Sequence, residues 1–133
     1  MYKLLLLPIN GNTELPAIPE EVDAVVRRVA SPQAQGIKAA DAVLIDSESV
    51  PTDDIVMVLT KLRAYAPGVT VFIRGPVLSG TLRNTYNIST IFPPALGTDW
   101  VVRLMVDFLK QQAPSRQTLN FIQDINQQAN ITI

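Results

Sequence analysis

Ala42-Val43-Leu44-Ile45-Asp46 decides the fold. Four apolar residues run without a polar break and stop at an acid, with Ser47 and Glu48 behind it. A strand with one wet face alternates apolar and polar side chains. An unbroken apolar run of this length instead marks a strand covered on both faces, which is the habit of parallel sheets. Upstream, Leu4-Leu5-Leu6-Leu7 has the same character and ends at Pro8 and Asn10-Gly11-Asn12. Downstream, residues 69–73 form another such strand, stopped by Gly75-Pro76, and residues 88–92 another, closed by Pro93-Pro94.

The stretches between these runs read as helices. Pro51 and Thr52 open one, with Thr52 as N-cap and Asp53 and Asp54 near the positive end of the helix dipole. Ile55, Leu59, Leu62 and Ala66 form its apolar stripe, and Pro67-Gly68 ends it. Thr98 caps a long helix through Gln111, with Trp100, Val101, Leu104, Met105 and Phe108 on its apolar face. Aromatic and Met residues at this spacing read as core rather than as an exposed stripe. A short helix or irregular segment covers residues 79–84. Pro19-Glu20-Glu21 precedes Val22, Val25, Val26 and Val29, whose spacing favours a helix; the rival reading makes residues 24–30 a strand. Residues 31–40 hold Pro32 and Gly36 and leave room for one short turn.

Strand and helix in alternation predict an α/β domain, a small parallel sheet of four to five strands flanked by helices. Residues 1–112 are read as that domain and residues 113–133 as an amphipathic helix and tail. Ser115 caps this extra C-terminal helix, expected over residues 115–129, with Thr118, Ile122, Ile125 and Ala129 on one stripe and Phe121 beside it. Thr118, Phe121, Ile122 and Ile125 are the candidate interface residues.

Composition narrows the chemistry. The chain has 133 residues, 47% of them hydrophobic and 17% charged, which suits one sizeable core. Eleven Lys and Arg against twelve acids give a net charge of -1, so no overall field favours nucleic acid or an anionic membrane. Without Cys or His there is no disulfide, no thiolate nucleophile, no common zinc ligand and no imidazole base. An oxygen-only Mg²⁺ or Ca²⁺ site is still chemically open, but none is expected, nor any cofactor. The opening apolar run is too short for a signal peptide and no stretch approaches a membrane span, so a cytoplasmic protein is expected.

In open parallel sheets ligands sit beyond the carboxyl ends of the strands. Asn10, Asp46, Ser47, Glu48 and Arg74 fall there. Asp46 and Glu48 could hold a divalent cation or a phosphoryl group, or simply be turn residues ending a strand. Arg74-Gly75-Pro76 with Ser79-Gly80-Thr81 could form a small anion site, or be a connecting loop. The Gly-rich phosphate-binding patterns are absent.

Residues 42–46, the helix opened by Pro51, the strand to Ile73 and the strand 88–92 followed by Pro resemble the receiver domain of two-component response regulators, over roughly residues 41–112. The resemblance implies a flavodoxin-like fold and makes Asp46 the equivalent of the phosphate-accepting Asp that ends the third strand. The family's other positions are changed. Pro8, Ile9 and Asn10 replace the acidic pair ending the first strand. Arg74 and Gly75 replace a Ser or Thr, and Phe92-Pro93-Pro94 replaces a Lys before Pro. The stretch ahead of the third strand is also shorter than the family's. The resemblance therefore implies an atypical receiver, of the kind found at the front of Tad/Cpa pilus-assembly localisation ATPases and thought to serve protein contacts. The leading expectation is a non-catalytic protein-interaction module, a homodimer or a domain docking on a protein partner. The alternatives are a phosphoryl-accepting receiver using Asp46, and a small-molecule or nucleotide-binding domain using Asn10, Ser47 and Arg74.

Overall fold

The computed structural model describes residues 1–9, 15–47 and 50–111. Five strands, β1 (Tyr2–Pro8), β2 (Ala24–Arg28), β3 (Ala42–Asp46), β4 (Thr70–Arg74) and β5 (Ile88–Phe92), make one sheet in the order β2-β1-β3-β4-β5. All four pairings are parallel. Helix α1 (Thr52–Tyr65) joins β3 to β4, α2 (Gly80–Tyr86) joins β4 to β5, and α3 (residues 98–111) follows β5. This is the flavodoxin-like order, in which the chain reverses direction across the sheet between β1 and β3. Among the described residues, no helix is long and apolar enough to cross a membrane.

The apolar runs are buried for the reason their composition suggests. Leu5, Leu7, Val43, Ile45, Val71 and Ile73 point to one side, onto Ile55, Leu59 and Leu62 of α1. Leu4, Leu6, Ala42, Leu44 and Phe72 point to the other, onto Val101, Val102, Met105, Val106 and Leu109 of α3. Phe72 anchors this second layer, with its ring centroid 5.9 Å from that of Phe92 and 5.2 Å from that of Phe108, which meets it edge-on.

Three expectations need correction. The favoured helix at Val22–Val29 does not form: residues 24–28 are strand β2, paired with β1 from Tyr2↔Ala24 to Leu6↔Arg28. β-Branched residues lose rotamer freedom in a helix and fit a pleated sheet, and here β1 supplies a template beside them. Pro19 closes a turn through the Val22 N–H, 3.0 Å from its carbonyl oxygen, rather than opening a helix. Thr52 is the first residue of α1 and makes no side-chain cap; Pro51 precedes it. On α3, Met105 is fully buried and Phe108 packs on Phe72, but Trp100 and Leu104 are exposed at 57% and 39%.

The two connections around β2 are thin. Residues 15–23, with Pro16 and Pro19, hold no α-helix, and Ile18 and Val22 pack on the α3 side of the sheet. Residues 29–41 hold a single 3-10 turn, Ile37–Ala39, which buries Ile37 on the α1 side. The proposed division after residue 112 and the helix expected over 115–129, with Thr118, Phe121, Ile122 and Ile125, lie outside the described residues.

Candidate functional site at the carboxyl edge of the sheet

β3 and β4 run in register to their last residues, so Asp46 stands directly beside Arg74. A carboxylate and a guanidinium ending adjacent parallel strands meet at the rim where a ligand would approach. Here they meet each other. Arg74 Nη1 donates to Asp46 Oδ1 at 2.9 Å, with the side chains 10% and 3% exposed. The other guanidinium nitrogens turn to the loop after β5: Nε donates to the Leu96 carbonyl at 2.6 Å and Nη2 to the Pro94 carbonyl at 2.7 Å. One arginine thus closes three segments over the end of the sheet.

Ser47 completes the closure. Its backbone N–H donates to the Arg74 carbonyl at 2.9 Å, and its hydroxyl donates to the same oxygen at 3.2 Å. It is fully buried. Gly75 lies against it so closely that a Cβ there would collide with Ser47 Oγ, so the close approach requires glycine. The Gly75 N–H reaches the Phe92 carbonyl at 2.9 Å, and the Ile9 N–H reaches the Asp46 carbonyl at 3.0 Å. β1, β3, β4 and β5 are therefore laced together one residue past their ends.

Of the ligand-edge residues read from the sequence, Asp46, Ser47 and Arg74 come together, while Asn10 and Glu48 lie outside the described residues. Ser79 N-caps α2 through the Leu82 N–H at 3.2 Å, and its helix is only seven residues long. Among the described residues, no three acidic side chains gather to hold a metal ion. The arrangement presents a buried ion pair at the rim of the sheet.

Sequence reasoning missed the part played by Pro94 and Leu96, whose carbonyls act without their side chains and leave no compositional trace. It also missed Arg63 on α1. Its Nε donates to the Tyr86 carbonyl at 2.7 Å, Nη2 to the Asn87 carbonyl at 3.0 Å, and Nη1 to the Val69 and Pro67 carbonyls at 2.6 and 3.1 Å. Burial lowers the Arg63 pKa from its ordinary value. A cation in the last turn of a helix, just ahead of Pro67-Gly68, was the available signal.

The fold is shared with two pilus-assembly proteins. One is a protein assigned to pilus assembly (cpaE) from Burkholderia thailandensis, with a TM-score of 0.56 and 16% identity over 86% of this chain and 99% of that one. The other is a protein assigned a pilus-assembly-related role in Burkholderia pseudomallei, with a TM-score of 0.55 and 17% identity over 86% and 90%. No protein-family model matches the chain, and a search of the curated proteins gives no match. Identity at this level speaks for the architecture alone.

Proposed function

We propose that this chain is a receiver-like, non-catalytic interaction module of a cytoplasmic pilus-assembly system, docking on a protein partner or a second copy of itself. The observation that carries the reading is the buried Asp46–Arg74 pair. A phosphoacceptor carboxylate must be reached by an incoming phosphoryl group and by a divalent cation that neutralises its charge. Asp46 is 3% exposed on its side chain and already faces a guanidinium anchored on two carbonyls. Freeing it would break this buried pair, so closure of the site and phosphorylation oppose one another. Pilus assembly enters from the roles assigned to the two structural neighbours, whose fold the chain shares.

Incubation with acetyl phosphate and Mg²⁺ tests this reading, with intact mass as the readout. The expected mass is unchanged. A phosphate adduct that disappears in Asp46→Asn would overturn it in favour of an active receiver.

A further inference from the structure

The connection from β2 to β3 leaves the outer part of one sheet face without a helix. On that face β1 presents Lys3 and Leu5 directly beside Val25 and Arg27 of β2, in the register Lys3↔Val25 and Leu5↔Arg27. α1 covers β3 and β4 on the same side. Beyond it, the 3-10 turn at Ile37–Ala39 is the only helical element of the connection. What remains is a groove of about 460 Å³ along β1 and β2, lined by Leu5, Val25, Val29 and Ala39. Val25 is 37% exposed in it.

The charge on this groove is of one sign. Among the described residues, Lys3 and Arg27 line it on this face and no carboxylate does. The nearby Asp41 accepts from the Lys3 backbone N–H at 2.6 Å. Apolar floor and cationic lining together select an amphipathic segment whose apolar stripe is flanked by acids. The place is the one where a crossover helix packs in sheets of this order, so a helix fits the gap.

We propose that the β1–β2 groove docks an acidic amphipathic helix of a protein partner, which supplies a helical layer where residues 29–41 form only a 3-10 turn. The proposal rests on the interaction-module reading and adds to it the surface and the class of partner. An apolar stripe at i, i+4 and i+7 lies over Val25 and Val29, and flanking Asp or Glu side chains meet Lys3 and Arg27.

A display library of random 16-residue peptides, selected on the immobilised chain, tests it. Lys3→Glu/Arg27→Glu and Trp100→Ala serve as counter-targets, each first shown by circular dichroism and thermal melting to fold like the parent. The selected peptides should combine helical apolar spacing with an excess of Asp and Glu. They should lose at least tenfold in affinity on the Lys3→Glu/Arg27→Glu variant and keep their affinity on Trp100→Ala. Peptides lost on Trp100→Ala but retained on the double variant would overturn the groove proposal while leaving the interaction-module reading intact. Sedimentation showing a dimer that Val25→Asp dissociates would also overturn it, by making a second copy the occupant. A library that yields no binder at all would count against both.

Discussion

Arg74 shows how one residue can decide what a site is able to do. Its guanidinium faces Asp46 and donates to the Leu96 and Pro94 carbonyls, all inside the protein. A buried ion pair is a modest stabiliser, since both charges are taken out of water, but breaking one by removing a single partner is severe. Arg74→Met should cost about 3–5 kcal/mol, read from the urea midpoint, because the buried Asp46 carboxylate loses the guanidinium that faces it. The double variant Asp46→Leu/Arg74→Met should be less destabilised than the single one, although the Pro94 and Leu96 carbonyls still lose their donor. A single variant within 1 kcal/mol of the parent would show that Asp46 is not held as described. The presence of Asp46, Ser47 and Arg74 at the strand ends was legible in the sequence, because each follows an apolar run. Their turning toward one another was not legible. It depends on the β3–β4 register and on where the loop after β5 passes, and neither leaves a local signature.

At the scale of elements, the runs that became β1, β3, β4 and β5 were readable, since continuous apolar stretches between turn residues have few other uses. β2 was not, and the reason is particular. Val22, Val25, Val26 and Val29 satisfy a helical spacing, yet Val25 and Val26 belong to opposite faces of a strand, one exposed and one packed toward α3. Periodicity over so few residues fits both periods, and only pairing with β1 separates them. Joints between elements were also invisible. The α1–β4 turn and the α2–β5 corner are both held by Arg63, which reaches the carbonyls of Val69, Tyr86 and Asn87. Asn87 sits in the left-handed region at φ 52° and ends α2 there. Lysine has no planar fork to serve both segments at once. Arg63→Lys should therefore lower stability by about 1.5–3 kcal/mol, the scale of a hydrogen bond to a charged group. The same loss should appear in Arg63→Gln if hydrogen bonding rather than charge is what counts. A melt unchanged in Arg63→Lys would mean that the corner is held by packing alone.

The whole molecule is uneven, and this asymmetry joins its fold to its proposed use. β3 and β4 lie at the centre of the sheet, with α1 on one face and α3 on the other, and Val43, Ile45, Val71, Phe72 and Ile73 are fully buried. Among the described residues, β2 lies at an edge of the sheet, pairs with β1 alone, and exposes Val25, Arg27 and Arg28. Local opening follows buried contacts, so segments with few of them exchange at lower free energy than the core does. Native-state hydrogen exchange should find the amides of β3 and β4 opening only with global unfolding. Those at Val25 and Arg27 of β2 should open about 2 kcal/mol or more below that limit, within the range that sub-global openings span. A helix docked over β1 and β2 would bury Val25 further and bring the β2 amides closer to the core value. Equal protection of β2 and β4 in the free chain would mean that the edge is already supported, and that no missing layer is there for a partner to supply.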